Sequence, residues 1–360
     1  MAQTTYQLMN MVKFVYFNTE DSKGNSIIFI NDKVESNLSD KSILTNSGLF
    51  QSVVVYNGKK YKEDRLLSKI DTALNVIDRN AFEKLVRDFD KSFEVDIVVI
   101  PTVSLESQIF WQYIKHRKVY LIEDGLGSLT GDILSDGMSS GRRRLTQLLY
   151  GSFEPDKMYL NNLNFNVSDS KTEFCEIPGR YDDELCAYLR NLFLPADYIS
   201  SYRDDDIVYL QQPVAQWDSK YLELEKQLLY KCVDIINERM IIRCHPLTVN
   251  NPRISGIRYD LQNYSWETVC IDQISEHNIL MGVFSTAQFS PKQIFDREPY
   301  VIFLHRIIKP TNLDQAEIEK MISKLKDNYN NKNRILVPDS EEALIDFLTQ
   351  ISASYKFADK

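Results

Sequence analysis

The sequence predicts an α/β protein built as two doubly wound lobes with mainly parallel sheets. Three observations lead there. Short Val- and Ile-rich runs recur along the 360 residues, separated by longer helical stretches, and such alternation is the pattern of βα units with right-handed crossovers. The runs are continuously apolar, as in parallel strands covered on both faces. The strand series also stops and restarts. Between positions 195 and 206 lie Pro195, Ser200, Ser201 and the acidic run Asp204, Asp205 and Asp206. That segment divides the chain into an expected first lobe, 1–200, and second lobe, 201–360.

The chain opens on Thr4-Thr5-Tyr6-Gln7-Leu8, a strand-to-helix turn whose helix continues through 9–17. A doubly wound lobe has a strand before such a turn. Only Met1-Ala2-Gln3 precede it here, so the first strand is expected to be clipped or very short. Expected strands follow at 26–31, 52–56, 96–101, 119–123 and 158–160, then at 207–211, 240–244, 278–284 and 300–304. Helices are expected at 66–89, 105–116, 185–193 and 220–237. The two lobes would face each other across a cleft, and ligands of such sheets bind at the carboxyl ends of the strands.

Hydrophobic residues make up 43 % of the chain and charged residues 26 %, which is globular usage and excludes disorder. The net charge of -9 argues against non-specific nucleic-acid binding, which depends on phosphate neutralisation. One basic cluster, Arg142-Arg143-Arg144, reads either as a solvated helix start or as a contact for an acidic glycan or for headgroups at the inner face of the cell membrane. The five cysteines, Cys175, Cys186, Cys232, Cys244 and Cys270, fit no zinc spacing and suit free thiols of a reducing cytosol. No apolar run approaches a membrane span, and the N-terminus carries no signal-peptide pattern. The expected location is therefore cytoplasmic, with peripheral membrane contact through the arginine cluster as an option.

Three loops at strand ends could carry chemistry. Glu123-Asp124-Gly125 closes the run 119–122. A carboxylate there could take the proton from an acceptor hydroxyl; it could equally be a turn and capping cluster. Arg243-Cys244-His245-Pro246-Leu247 ends the strand 240–244, and a His fixed before proline can donate to a phosphate and stabilise a leaving group. Phe284-Ser285-Thr286-Ala287 offers two hydroxyls and a helix start to an anion, or simply an N-cap. Between these loops, Ser265-Trp266-Glu267 opens a helix; Glu267 could accept from an exocyclic amine or a ribose. The run Asp204–Asp206 contains an Asp-x-Asp pattern but reads as a boundary charge run, and the histidines form no ligand spacing. No metal and no cofactor are expected. Phosphate-loop and hydrolase-elbow motifs are absent.

Taken in order, the acidic-Asp-Gly motif, His-Pro and the Ser/Thr pair resemble the bacterial sialyltransferases, and most closely glycosyltransferase family 52, the lipooligosaccharide sialyltransferases. Thr5-Tyr6-Gln7-Leu8-Met9-Asn10 is similar to that family's first strand-to-helix turn. Leu210-Gln211-Gln212-Pro213 is similar to its strand opening the second lobe, and Ser265-Trp266-Glu267 to its Pro-aromatic-Glu segment. Ser265 departs from the family's proline, and Cys244 from the more polar residue common before His-Pro. The resemblance implies a GT-B fold with an acceptor-side first lobe and a second lobe that binds the nucleotide sugar. It implies metal-independent, inverting transfer of sialic acid from CMP-sialic acid to a galactose-type hydroxyl of a cell-surface glycan, lipooligosaccharide or capsule, and a homodimer. His245, with Arg243, Cys244, Pro246 and Leu247 beside it, and Ser285 and Thr286 would hold the donor phosphate; Trp266 and Glu267 would hold the cytidine, and Gly125 would shape the acidic loop. The base would be Asp218, in family 52, or Glu123 or Asp124, in the related families. The rival expectations are a GT-B transferase of another sugar nucleotide, such as a UDP-sugar glucosyltransferase, and a non-catalytic GT-B-like capsule assembly protein.

Overall fold

The computed structural model describes residues 1–18, 24–56, 94–101, 107, 110–111, 114–125, 155–166, 172–212, 219–245, 254–262, 264–310 and 314–355. The chain divides into two compact units, Met1–Asp197 and Tyr198–Lys360. Among the described residues every strand pair is parallel, so the expected α/β class of doubly wound sheets holds.

In the first unit, β1 (Ser26–Asn31) pairs with β2 (Phe50–Tyr56). A second sheet runs in the order β3 (Glu94–Ile100), β4 (Lys115–Ile122), β5 (Lys157–Leu160), β6 (Glu173–Glu176). Where the first strand is expected, Met1 and Ala2 link the two sheets. Ala2 pairs with Ile30 of β1, donating to the Phe29 carbonyl at 2.8 Å and accepting from Asn31 N at 3.2 Å. Met1 N donates to the Val99 carbonyl of β3 at 3.1 Å. Counting this residue pair as a strand, the order is that of a doubly wound sheet, with the reversal beside it.

The helix Thr5–Phe17 follows at once. Thr4 caps it, accepting from Gln7 N. Residues Gln7 to Val15 are all buried, so the helix has no wet face. The helix Asp183–Phe193 differs: Asp182 caps it at 2.8 Å to Leu185 N, and Leu185, Cys186, Leu189, Leu192 and Phe193 form one buried stripe. The expected helix 66–89 lies outside the described residues. The expected helix 105–116 lies partly outside the described residues and ends two residues too late, because β4 already begins at Lys115.

The second unit holds one six-stranded sheet. Its strands are β7 (Ile207–Leu210), β8 (Met240–Arg243), β9 (Arg258–Asp260), β10 (Ile279–Gly282), β11 (Tyr300–Phe303) and β12 (Ile335–Leu336). Their order is β12-β11-β10-β7-β8-β9. The direction of winding reverses between β7 and β10, which is where doubly wound sheets bind ligands. Side chains alternate between two cores. Ile207, Tyr209, Met240, Ile242, Ile279 and Met281 face the helices Ser219–Ile236 and Glu341–Tyr355 through Leu228, Cys232, Leu344 and Leu348. Val208, Leu210, Ile241 and Leu280 face the helix Trp266–Cys270 through Trp266, Val269 and Cys270. Burial on both faces is why these strands read as unbroken apolar runs.

Gly282, the last residue of β10, marks a close approach. A Cβ there would stand 3.0 Å from the Leu210 carbonyl oxygen of β7 and 3.3 Å from Gln288 Oε1. Gly282→Ala is expected to cost about 1–3 kcal/mol through this overpacking, measured by urea unfolding. An unchanged midpoint would mean that β7 and β10 can spread apart without cost.

Candidate functional site

In the first unit the acidic loop lies at the carboxyl end of β4. Glu123 is fully buried. Tyr6 OH donates to its Oε1; Asn161 N, just past β5, donates to its Oε2 at 2.8 Å. The Glu123 carbonyl accepts from Asn10 Nδ2 at 2.9 Å. Burial pushes the carboxyl above its usual range, and the bonds from Tyr6 and Asn161 oppose this. One helical turn further on, Lys13 is also buried; its Nζ donates to Asn161 Oδ1 at 3.2 Å and stands 4.7 Å from the Tyr181 ring centroid. Desolvation lowers its pKa to about 8. Glu123 is thus consumed in holding the helix Thr5–Phe17 to the ends of β4 and β5.

Asp124 is placed differently. It is half-buried, and Gln7 Nε2 donates to its Oδ1 at 2.6 Å. Burial, aided by the neighbouring Glu123, lifts it to about 6, against the Gln7 bond. Gly125 follows with φ +107°, a left-handed conformation that side chains rarely adopt, and it turns the chain away. A carboxylate with a pKa near 6 is largely ionised at neutral pH and close to the range of a general base.

In the second unit the motifs gather at one edge of the sheet, at the carboxyl ends of β8, β9 and β10. Cys244 and His245 directly follow β8 and are both half-buried; burial lowers the His245 pKa, which favours the neutral imidazole. Arg243 is anchored inward. Its guanidinium pairs with Asp260 and the Tyr264 carbonyl, lies 3.2 Å from Tyr202 OH, and sits 5.6 Å from the Trp266 ring centroid. It acts as a brace between β8, β9 and the following helix.

Ser265, standing where a proline was expected by resemblance, is the N-cap of the helix Trp266–Cys270, accepting from Thr268 N at 3.2 Å. Trp266 is buried and its Nε1 donates to the Ala287 carbonyl at 2.7 Å, tying this helix to the Ser-Thr loop. Glu267 is half-buried on the first turn; burial raises its pKa and Arg243 counters that. Ser285 caps the short turn Thr286–Gln288 through a reciprocal capping box, with Ser285 N donating to Gln288 Oε1 at 2.9 Å. Gln288 Nε2 in turn donates to the Ile302 carbonyl of β11 at 2.9 Å. Ser285 is therefore largely buried, and Thr286 is the exposed hydroxyl of the pair.

Asp218, Pro246 and Leu247 lie outside the described residues, as does Arg142–Arg144. The acidic run at 204–206 is occupied by structure: Asp206 pairs with Arg258 and accepts from Arg203 N at 2.8 Å, and Asp205 pairs with Arg239 at 2.9 Å. Among the described residues, no group of three or more His, Cys, Asp or Glu is arranged to hold a metal, and no helix is long and apolar enough to cross a membrane. Sequence reasoning missed Gln7, Asn10, Lys13 and Asn161. The signal was present in part: Tyr6, Asn10 and Lys13 are polar groups spaced by helical turns within an otherwise apolar helix.

No sequence family and no curated protein matches this chain. Solved structures do match. The glycotransferase of kitacinnamycin superposes with a TM-score of 0.50 at 8 % identity, over 96 % of this chain and 86 % of that one. CalG4, the calicheamicin glycosyltransferase, gives 0.48 at 10 % identity, over 97 % and 86 %. A UDP-N-acetylglucosamine 2-epimerase assignment from Listeria monocytogenes, made there as putative, gives 0.47 at 12 % identity, over 96 % and 89 %. The first of these, covering both units, shows the fold class: the two-unit, parallel-sheet α/β architecture of GT-B proteins.

A second carboxyl lies buried beneath the strand edge. Glu225, on the helix Ser219–Ile236, accepts from Tyr209 OH at 2.6 Å and bonds the side chain of Gln211 at the end of β7. Burial lifts it to about 7. A carboxyl raised on folding favours the folded state while protonated, so its contribution is complete below about pH 4.5 and lost as the pH rises through about 7. Glu225→Gln has no charge to gain. Between pH 4.5 and 7.5 its unfolding free energy, from urea titrations, is expected to fall less than wild type's by on the order of 2–3 kcal/mol. Parallel curves would show that Glu225 titrates at an ordinary value.

Proposed function

We propose that this protein is a glycosyltransferase that moves sialic acid from CMP-sialic acid to a galactose-type hydroxyl of a cell-surface glycan, with inversion. The observation that carries the reading is the gathering of His245, Thr286 with Ser285, and Trp266 with Glu267 at the carboxyl ends of strands beside the β7–β10 reversal. Sugar transfer is further supported by the glycotransferase of kitacinnamycin, which has the same fold class. The donor assignment rests on the motif set and its resemblance to family 52.

In this reading the second unit binds the nucleotide. His245, neutral before the donor arrives, gives an N–H to the phosphate and stabilises the charge that grows there as the glycosidic bond breaks. Thr286, held outward by the Ser285–Gln288 box, adds a hydroxyl. Glu267 reads the cytidine, with Trp266 fixing the loop beside it. A monophosphate leaving group carries less charge than a diphosphate, so these donors suffice without a metal. Asp124 of the first unit accepts the proton of the acceptor hydroxyl; Glu123 beside it is spent on the fold. The attacking oxygen forms its bond to the sugar as the phosphate leaves, and the proton ends on Asp124.

Calorimetry is expected to show CMP binding more tightly than UDP. The reverse order would sink the sialic-acid donor and favour a UDP-sugar transferase on the same fold. His245→Ala is expected to fold normally and to lose roughly 10²–10³ in turnover, the usual cost of one preorganised donor, together with weaker CMP binding. Asp124→Ala should lose turnover with CMP affinity unchanged, and Asp218→Ala beside it tests the other candidate base. Near-normal turnover and CMP affinity in His245→Ala would return this histidine to a structural role.

A further inference from the structure

The turn that opens the helix Thr5–Phe17 reaches the acidic loop through one side chain. Gln7 is almost fully buried, and each of its polar groups is committed. Its backbone N–H is held by the Thr4 hydroxyl at 3.2 Å. Its Oε1 accepts from Gln3 N at 2.6 Å. That bond fixes which end of the amide is which, because a flipped amide would set two N–H groups against each other. The remaining Nε2 donates to Asp124 Oδ1 at 2.6 Å. A glutamine locked at its backbone and its carbonyl has little freedom left in its amide.

We propose that Gln7 is a positioning residue for the base: its locked amide orients the Asp124 carboxylate toward the acceptor hydroxyl and favours its ionised form. This rests on the reading of Asp124 as the base. The surroundings call for such a partner. Glu123 adds negative charge beside Asp124, and burial raises it further. On the helix side, Tyr6 is turned to Glu123 and the positive Lys13 acts on Glu123 through space. Beyond β5, Asn161 is also given to Glu123. Gln7 reaches Asp124 from the helix through its Nε2. A hydrogen bond donated to a carboxylate lowers its pKa, so Gln7 keeps the base available at neutral pH against burial and a neighbouring like charge.

The test uses the full chain with CMP-sialic acid as donor and lactose as acceptor, comparing wild type, Gln7→Leu, Gln7→Glu and Asp124→Asn. Gln7→Glu is isosteric, can keep the Gln3 bond, and replaces the donating N–H with an acceptor; it serves if Gln7→Leu does not fold, which circular dichroism and thermal melts report. The expected result is that Asp124→Asn loses turnover, while the acid limb of the pH–kcat profile moves up by roughly one pH unit in the Gln7 variants. The donor KM should stay within about twofold, because the nucleotide-binding groups are elsewhere. A lower kcat with an unmoved acid limb would overturn the proposal and leave Asp124 as the base. Full turnover in Asp124→Asn would overturn the base itself, and the role proposed for Gln7 with it.

Discussion

The buried carboxylate of Glu123 is the interaction on which the first unit depends. Taking a carboxyl out of water is costly unless its oxygens are matched, and here Tyr6 and Asn161 match them. The same contacts fix three elements at once: the helix Thr5–Phe17, the end of β4 and the end of β5. Asn10 and Lys13 extend the match along the helix. Because this network absorbs one carboxylate of the Glu123-Asp124 pair, it leaves the other at the rim of the loop. The division of labour between adjacent acids is a division of environment. One is enclosed and bonded at both oxygens; the other is half-buried and accepts from Gln7 of the helix.

The second unit solves a similar problem with backbone groups. The loop after β10 leaves Thr286 exposed, yet it sits over a strand end with no room to spare at Gly282. Gln288 fills that space and satisfies both the Ser285 N–H and the Ile302 carbonyl. Trp266 ties down Ala287. Arg243 joins β8 to Asp260 and Tyr264. These braces link the ends of three strands into one rigid edge, the kind of support that a preorganised anion site requires.

Much of the fold was legible because both faces of the second unit's sheet are buried. Strands such as β7 and β10, covered on each side, read as unbroken apolar runs, and nine strands were placed from Val- and Ile-rich runs. The strands it passed over are β6, β9 and β12. They are edge strands, short and partly polar, such as Glu173–Glu176 and Arg258–Asp260, where one side of the ladder is open and pattern has little to work on. At the candidate site, the loops announced themselves by residue type, but the partners did not. Glu123 and Asp124 look equivalent in sequence. What separates them comes from Tyr6, Gln7 and Asn161, residues 38 to 117 positions away, and no local pattern encodes such distances. Arg243 likewise reads as a phosphate ligand until Asp260 and Tyr202 are seen to hold it.

The helix Thr5–Phe17 has a consequence for the order in which the chain can acquire its structure. It precedes β4 and β5 in the chain, yet it has no face suited to water, and Tyr6 and Lys13 are matched only by residues far along the chain. Tyr6 waits for a residue 117 positions later, and Lys13 for one 148 positions later. Until β4 and β5 exist, docking this helix would strand unpaired polar groups in an apolar setting, which is worse than leaving them hydrated. Docking of the helix thus depends on the ends of β4 and β5 being in place. Its contacts span long loops, whose closure entropy must be met before they yield any stability, and this slows folding.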